Sequence, residues 1–443
     1  MKLNYRRTFL VGLAFMSICA FWQMYDNVIP LILTNSFKMN EVLSGIIMGA
    51  DNVLALFLLP AFGALSDRCS TRIGRRMPFV IFGTAAAVIL MTILPVVDNS
   101  FFSSPSETKI IFFIIVLGML LLAMGTYRSP AVALMPDITP KPLRSKANAV
   151  INLMGALGGI IYLIITTFLY SAERTAGLAH VNYLPLFLIV AAIMIVSVLV
   201  LYLTIKENKL HQQLEEYEAA HPEENLTEDN GSGDAVLPKD VKKSLVFLLL
   251  SISCWFLGYN AVTTWFTTYA SRMWDMALGQ SSLCLTIGSV GAIIAYLPIG
   301  VVAGEIGRKK TIRAGVILLC TCFLCAFVLT LVLSGFSPIL YVLFALVGVA
   351  WAAINVNSLP MVVEMCRGSD IGKFTGYYYT FSMAAQSLTP VISGWLIRNV
   401  SYKALFPYAA VCVALAFFTM SLVRHGDSTP EAKMNLEAFD VED

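Results

Sequence analysis

The sequence predicts an all-α membrane protein with twelve transmembrane helices in two pseudo-symmetric six-helix bundles. Of its 443 residues, 58% are hydrophobic and only 13% are charged, and the mean hydropathy is +0.76. Soluble domains carry roughly 25% charged residues, so water cannot solvate this chain. The apolar residues also fall into stretches that can cross a bilayer, which takes about 20 residues. Lipid is therefore expected to cover most of the folded surface.

Twelve apolar stretches can be delimited, six on each side of a polar segment. They run approximately over residues 9–33, 44–65, 78–97, 110–134, 147–170, 183–205, 244–269, 280–302, 312–333, 337–360, 374–397 and 403–423. The first follows basic residues, as in a signal peptide, but it continues to Leu33, which favours a membrane span. We therefore expect an N-terminal bundle over 1–205, a cytoplasmic linker over 206–243, a C-terminal bundle over 244–423 and a cytoplasmic tail over 424–443.

The distribution of Lys and Arg between the loops predicts the orientation. Thirteen of these residues fall in the short loops on the side of the N-terminus, against six in the loops on the other side. Positive residues accumulate in cytoplasmic loops, so both termini and the linker are expected in the cytoplasm. The expected location is the plasma (inner) membrane of a bacterium. The linker is acidic and then rich in Gly and Ser, which indicates a partly helical or disordered segment outside the lipid.

Two similar loops indicate an internal repeat. After the second predicted span the chain reads GALSDRCSTRIGRRMPF (Gly63–Phe79), and after the eighth it reads GVVAGEIGRKKTI (Gly300–Ile312). Each has Gly, an acid and then Gly followed by basic residues, at the same place in its half, as a parallel two-fold repeat predicts. The segment Gly63–Phe79, termed the signature loop below, resembles the signature between helices 2 and 3 of the major facilitator superfamily.

The acids and arginines of these loops are expected to form a charge latch. A carboxylate such as Asp67 can pair with a loop arginine or lie at a helix N-terminus, which stabilises one orientation of the two halves. Asp137 at the end of the fourth span is expected to pair with loop arginines. The expected gating residues are Asp67, Arg68, Arg72, Arg75, Arg76, Asp137, Arg144, Glu305, Arg308 and Glu364. Simple anchoring at the cytoplasmic surface is the alternative for the basic residues.

Four blocks of sequence resemble sucrose–proton symporters and their bacterial relatives. They are SDRCSTRIGRRMPF in the signature loop, YRSPAVALMPDITPKPLRSKANAV (Tyr127–Val150), NVNSLPMVVE (Asn355–Glu364) and IGKFTGYYYTFSMAAQSLTP (Ile371–Pro390). The first departs from the symporter pattern at Thr71 and Met77. The second keeps an arginine of helix 4, here Arg128, followed by Ala-Leu-x-x-Asp. The resemblance implies proton-coupled uptake of a disaccharide or other glycoside by alternating access.

The wider glycoside–pentoside–hexuronide cation symporter group is also similar, and it bears on the coupling ion. Its melibiose-type members bind sodium through two aspartates in helix 2, and alignment on the signature loop puts Ala55 and Leu59 at those positions. Two hard oxygen ligands are therefore missing. Asp51, one helical turn before Ala55, can replace part of that chemistry, but the comparison favours a proton.

Three charged residues of the first half lie within predicted spans. Asp26 is in the first span, Asp51 in the second and Arg128 in the fourth. Ionisable groups at membrane depth are costly, and they usually line a functional path and have a partner. We therefore expect Asp26, Asp51 and Arg128 to couple proton movement to substrate, with substrate hydroxyls replacing a carboxylate as partners of the arginine. A purely structural or interfacial role is the alternative for Asp26, and a fixed structural ion pair is the alternative for Arg128.

Aromatic and polar side chains within the spans are expected to bind the substrate. A sugar presents an apolar ring face and a rim of hydroxyls, so its site needs an aromatic surface and polar groups. Trp255 with Tyr259, and Trp351 with Asn355, have the i,i+4 spacing of one helix face. The expected substrate contacts are Trp22, Gln23, Tyr25, Asp26, Arg128, Trp255, Tyr259, Asn260, Trp351, Asn355 and Gln386. Packing or lipid contact is the alternative for any single aromatic.

Other functions stay open at this stage. A proton-coupled exporter of drugs or amphipathic compounds can have the same fold, although the polar residues of the first span favour a sugar. A non-transporting sensor needs a folded cytoplasmic output domain, and the linker is too short and too polar to form one. No motif predicts an enzyme, a metal site or a cofactor. The expected partners are a small-molecule substrate, a proton and the lipid bilayer, without nucleic acid, and the chain is expected to be a monomer.

Overall fold

The computed structural model consists of helices and their connections, without strands, over the residues that it describes, which are 4–140, 143–220, 238–332, 335–365 and 371–426. The all-α prediction is therefore confirmed. The long helices at the predicted spans are α1 (Tyr5–Leu31), α2 (Glu41–Asp67), α3 (Met77–Ser103), α4 (Glu107–Asp137), α5 (Arg144–Leu169), α6 (Leu184–Thr204), α7 (Lys239–Trp274), α8 (Leu278–Ile306), α9 (Arg308–Val332), α10 (Ile339–Val363), α11 (Ile371–Asn399) and α12 (Leu405–Ser421). α1 continues into a π-helical turn, Ile32–Ser36, shortly after Pro30, whose missing N–H interrupts the α-helical hydrogen bonds.

Eleven helices in the described part of the chain are long and apolar enough to cross a membrane. The prediction of a multi-pass helical membrane protein is confirmed, and the predicted count of twelve is close to this number. The helix that this measure leaves out is α11. Its 29 residues are more than the roughly 20 that a bilayer needs, but its Tyr, Ser, Thr and Gln residues lower its mean hydropathy. A long polar helix in a membrane is expected to face other protein or a water-filled path.

The outside of the helices shows why the chain needs lipid. Phe57, Phe82 and Phe168 are 70%, 72% and 70% exposed, and many other large apolar side chains are exposed along the spans. Soluble monomers rarely expose such continuous apolar surface. Each span makes its backbone hydrogen bonds internally, so hydrocarbon can surround it without leaving polar groups unpaired.

The chain forms two compact units, Met1–Met39 with Ala50–Asn225, and Asn40–Gly49 with Leu226–Asp443. In the first, α1 packs on α5 and α6, and α3 packs on α4 and α6. In the second, α7 packs on α11 and α12, and α9 packs on α10 and α12. These four pairings of the second half thus repeat the pairings of the helices six positions earlier, as the repeated loops predict. The predicted domain boundaries stay a prediction.

Close helix crossings in both units depend on glycine. A Cβ on Gly158 of α5 would lie 1.9 Å from the carbonyl oxygen of Met16 in α1, and one on Gly348 of α10 would lie 2.0 Å from that of Gly288 in α8. Only glycine allows backbones to approach so closely. The crossing at Gly158 fixes α1 against α5, and α1 carries the first of the candidate site residues.

The predicted linker begins with a helix. Glu207–Ala220, termed the linker helix, follows α6, whereas the acidic and Gly/Ser-rich part over 221–237 lies outside the described residues. The same applies to 427–443 of the predicted tail and to the side chain of Arg144. The expected cytoplasmic placement of the linker and the termini stays a prediction.

Candidate transport site

Two predicted site residues share one face of α1. Trp22 and Asp26 are one turn apart, and both are half-buried. Trp22 meets Tyr25 edge to face, with ring centroids 5.4 Å apart. Tyr25 itself is only 1% exposed, so it packs within the bundle. Gln23 lies against Gly159 of α5, where a glycine Cβ would come within 3.5 Å of its Oε1 atom.

Asp26, Asp51 and Arg128 come together and are termed the charge cluster. The Asp26 carboxylate interacts electrostatically with that of Asp51, and Asp51 interacts with the guanidinium of Arg128. Arg128 also lies over the ring of Trp22, with its Cζ 5.8 Å from the centroid, which is cation–π distance. The side chains of all three charged residues are half-buried. The structure therefore unites charged residues from α1, α2 and α4.

The neighbours of Arg128 fix its position on α4. The hydroxyl of Tyr127 lies 2.6 Å from Ser17 Oγ and donates to the Ala14 carbonyl at 3.1 Å, which ties α4 to α1. On the other side, Ser129 Oγ donates to the Leu59 carbonyl of α2 at 2.7 Å. These bonds hold α4 between the two helices that carry the carboxylates. Arg128 is therefore positioned by its own helix and not by the charge cluster alone.

The second unit contains an aromatic pair at two predicted substrate contacts. Tyr259 of α7 stacks on Trp351 of α10 with ring centroids 3.8 Å apart and an interplanar angle of 8°, and Phe256 meets the edge of Trp351 at 5.3 Å. The two stacked rings are half-buried. Trp255, which shares a helix face with Tyr259 in the sequence, is fully buried. It therefore lies in the packed interior, and a ligand cannot reach it in this conformation.

Amide groups accompany the aromatic pair. Asn260 follows Tyr259, and its Nδ2 atom is buried without a hydrogen-bond acceptor among the described residues. Asn355 is 9% exposed one turn after Trp351, and Gln386 of α11 is half-buried. A buried amide donor without an acceptor is unfavourable. Asn260 therefore offers a donor that a ligand oxygen can satisfy.

The signature loop forms a charge network with the end of α4. The Asp137 carboxylate receives Arg75 Nη2 at 2.7 Å and Arg76 Nε at 2.8 Å. Arg76 also pairs with Asp67 and donates to Ser66 Oγ. Burial alone would lower the pKa of Arg76, but the hydrogen bond and charge of Asp137, with the charge of Asp67, raise it above its ordinary value. Arg76 is therefore a permanent cation that joins the ends of α2, α3 and α4.

Glu207 completes this network, although the sequence gives no sign of it. Its carboxylate, at the start of the linker helix, accepts the backbone N–H groups of Arg75, Arg76 and Met77 at 2.8, 2.9 and 3.0 Å. These groups lie at the N-terminus of α3, where a negative charge is favourable. Glu207 is 2% exposed. The linker helix is therefore docked on the signature loop through one buried acid.

Gly74 makes room for this carboxylate, and its replacement is expected to disrupt the docking. Its φ is +126°, and a Cβ there would lie 2.1 Å from Glu207 Oε2. We expect Gly74→Ala to lower the thermal stability of the purified protein by an amount equivalent to about 1–3 kcal/mol. Gly177→Ala is the matched control, because Gly177 also has a positive φ, +73°, but nothing lies within 4 Å of its Cβ position. Equal effects of the two substitutions in a melting experiment would contradict the packing argument.

The second copy of the loop has a simpler network. Arg308 at the start of α9 pairs with Glu364 at the end of α10, as the loop arginines pair with Asp137 at the end of α4. Glu305, the counterpart of Asp67, is exposed, and it forms no ion pair with any residue in the described ranges. Arg68 and Arg72 of the signature loop are exposed as well. The structure thus joins the acids at the ends of α4 and α10 to arginines but leaves these three residues at the surface.

Repeated bundles of membrane spans with charged and polar groups inside the spanning helices are typical of membrane transporters for small molecules. The family model of the Major Facilitator Superfamily matches residues 11–279 and 273–440, and the chain belongs to that superfamily. The resemblance seen in the signature loop is thereby confirmed.

Plant sucrose transport proteins match part of the chain. Sucrose transport protein SUC3 of Arabidopsis thaliana is 31% identical over 121 residues, which is 25% of this chain and 20% of that protein. Sucrose transport protein SUC4 of the same plant is 31% identical over 114 residues, or 24% of this chain and 22% of that protein. The matched part thus spans about a fifth of the length of these relatives.

Solved structures match the whole fold. The xylose transporter XylE from E. coli has a TM-score of 0.64 at 15% identity and covers 95% of this chain and 99% of its own. A POT family transporter in complex with 5-aminolevulinic acid has a TM-score of 0.68 at 10% identity, with 94% and 96% covered. At such identities the likeness concerns the fold alone.

Proposed function

We propose that the protein is a proton-coupled symporter that carries a disaccharide or other glycoside into a bacterial cell. The observation that carries this proposal is the charge cluster, in which the half-buried carboxylates of Asp26 and Asp51 interact with each other and Asp51 also interacts with Arg128. Two nearby carboxylates cannot both be ionised without cost. With both ionised, the two carboxylates and the guanidinium carry a net charge of about −1, which one bound proton neutralises. Asp26 and Asp51 are therefore the proposed proton carriers.

Arg128 is proposed to link proton binding to substrate binding. Its guanidinium can donate hydrogen bonds to a carboxylate or to sugar hydroxyls. When hydroxyls replace Asp51 as its partners, the carboxylates lose part of their compensating charge and hold a proton more strongly. Loss of the substrate restores the ion pair and favours release of the proton. Substrate and proton are thus loaded and unloaded together.

The aromatic pair of the second unit supports a sugar as the substrate. Stacked Tyr259 and Trp351 present an aromatic edge and face, on which the apolar face of a pyranose can lie. The buried amide of Asn260 supplies a donor for a hydroxyl oxygen. The names of the plant relatives, which are sucrose transport proteins, agree with a disaccharide. These two side chains and one amide are the proposed sugar contacts of this unit.

The signature-loop network is proposed to gate the path at the cytoplasmic surface. Asp67, Arg75, Arg76 and Asp137 join the ends of three helices, so the network must change when those ends move apart. Glu207 adds the linker helix to the same gate. The cytoplasmic position is proposed from the distribution of Lys and Arg, and labelling of single cysteines from each side of intact cells tests it.

Transport into proteoliposomes tests the proposed function directly. The purified protein is reconstituted, an inward pH gradient is imposed, and uptake is screened across disaccharides and glycosides. We expect uphill uptake of at least one sugar, which dissipation of the gradient abolishes. An inward sodium gradient at equal pH is the control and should not drive uptake. Sodium-driven uptake, or gradient-driven movement of amphipathic dyes without any sugar, would contradict the proposal and favour a sodium symporter or an exporter.

Replacement of Trp351 is expected to weaken sugar binding. Trp351→Leu removes the stacking surface, and because an aromatic contact contributes about 0.5–1.5 kcal/mol beyond area burial, KM should rise roughly 3- to 10-fold. Trp351→Phe keeps a ring and should have a smaller effect. Trp395→Leu is the control, because Trp395 is 54% exposed on α11. Unchanged KM for Trp351→Leu in the uptake assay would exclude Trp351 as a sugar contact.

A further inference from the structure

A buried carboxylate outside the charge cluster lies near the end of α3. The side chain of Asp98 is fully buried, and among the described residues neither of its oxygens makes a hydrogen bond of normal geometry. α3 begins beside the signature loop, at Met77. At about 1.5 Å per residue, Asp98 lies roughly 30 Å from that point along the helix. It therefore occupies the opposite end of the first unit.

The imidazole of His180 faces this carboxylate. His180 lies in residues 170–183, termed the α5–α6 connection, and its Nε2 atom is 3.5 Å from Asp98 Oδ2. The same nitrogen is 2.9 Å from Asn99 Oδ1, and the ring stacks on Phe102 with centroids 4.7 Å apart. The nitrogen and the carboxylate oxygen are thus in contact range but slightly too far apart for a good hydrogen bond.

Polar contacts hold the α5–α6 connection beside α3. Asn99 Nδ2 donates to Asn182 Oδ1 at 2.8 Å, and the hydroxyl of Tyr170 donates to the Asn182 carbonyl at 2.8 Å. These bonds do not involve Asp98 or His180. The connection is therefore already close to α3, and a small displacement suffices to close the gap between the imidazole and the carboxylate.

Few other groups near Asp98 can change charge around neutral pH. Burial raises the pKa of Tyr170 and of Tyr183 above the ordinary value, so both stay neutral. Lys109 on α4 donates to the carbonyls of Ser100 and Ser104. Ser36 of the π-helical turn, which lies next to the carboxylate, does not titrate. Burial lowers the pKa of His180, so its ring is neutral near pH 7.

We propose that Asp98 and His180 form a second proton-binding site, separate from the charge cluster, at the end of the first unit opposite the signature loop. With a neutral imidazole and an ionised carboxylate, the pair has one negative charge, which is costly to bury. One proton on the ring converts the imidazole to an imidazolium and cancels that charge, and the Nε2–H then turns from Asn99 Oδ1 towards Asp98 Oδ2 to form a charge-assisted hydrogen bond. The proton belongs to the pair and not to either residue alone. Acid at this end therefore tightens the α5–α6 connection onto α3.

Hydrogen exchange in the connection tests this site without any transport assay. Backbone amides of residues 171–183 are followed in the full-length protein in lipid nanodiscs, and rates are corrected for the intrinsic effect of pH. We expect protection to be roughly tenfold greater at about pH 5.5 than at about pH 7.5, the size expected of one charge-assisted hydrogen bond. Equal protection at the two pH values in the unmodified protein would overturn the proposal.

Two substitutions and one control identify the groups. His180→Gln keeps a donor for Asn99 but does not titrate, and Asp98→Asn removes the buried charge, so each should abolish the pH response. His211→Gln is the control, because His211 lies at the same 3.5 Å from a carboxylate, that of Glu215, but the two side chains are 36% and 67% exposed. This substitution should leave the response intact. A response that persists in His180→Gln or Asp98→Asn would also exclude the pair.

Discussion

Asp26→Asn is expected to abolish accumulation of sugar against its gradient. Asparagine keeps the shape of the side chain but cannot carry a proton, so the imposed pH gradient no longer drives uptake. Exchange of labelled for unlabelled sugar needs no net proton movement, and it should persist within several-fold of the unmodified rate. Uptake and exchange are measured in the same proteoliposomes, so that loss of one with retention of the other separates coupling from folding.

Asp275→Asn is the matched control for this experiment. Asp275 is an exposed residue at the end of α7 with φ of +50°, a conformation that asparagine also tolerates. The Asp275→Asn variant should therefore accumulate sugar like the unmodified protein. Full uphill uptake by Asp26→Asn would remove this carboxylate from the coupling step and leave Asp51 as the remaining candidate of the charge cluster.

Arg128→Ala is expected to lose substrate binding. Removal of the arginine takes away the guanidinium donors that are proposed to bind the sugar hydroxyls, and hydrogen bonds to a charged group contribute about 1.5–3 kcal/mol. We therefore expect the binding affinity for sugar to fall roughly 10- to 100-fold, together with both uptake and exchange. Binding of the labelled sugar to detergent-purified protein measures the effect separately from transport.

Arg128→Lys and Arg174→Ala complete that experiment. Lysine restores the charge but not the planar set of donors, so it should recover part of the affinity. Arg174 is an exposed arginine between α5 and α6, and its substitution should leave binding unchanged. If Arg128→Ala binds sugar with unmodified affinity, the arginine has only a structural role, and the exchange of partners proposed for it is wrong.

The positions of the helices could be predicted because a backbone that crosses lipid must make its hydrogen bonds internally, as an α-helix does. Such a helix needs a long apolar stretch of sequence. The prediction was least accurate where polar residues occur inside a helix. The third span was expected to end at residue 97, whereas α3 continues to Ser103, because polar side chains end the apolar run but not the helical hydrogen bonds. Asp98 consequently falls within a helix although it lies outside the apolar stretch of the sequence.

The local motifs of the site could also be anticipated, but their distant contacts could not. Charges within spans identify Asp26, Asp51 and Arg128, since lipid makes them costly. Glu207 contacts Met77 across 130 residues of sequence, and one sequence has no signal for such a pair. Composition likewise cannot separate Trp255, which is fully buried, from Trp351, which is half-buried beside Tyr259. Only packing makes that distinction.

Movement of protons caused by sugar is the measurement that tests coupling through the charge cluster most directly. Proteoliposomes with equal pH on both sides enclose a pH-sensitive dye, and sugar is added outside as the only gradient. Coupled transport predicts acidification of the interior by the unmodified protein and none by Asp26→Asn, although both exchange sugar. Entry of sugar into unmodified proteoliposomes without acidification would contradict proton symport, and equal acidification in the variant would exclude Asp26 from it.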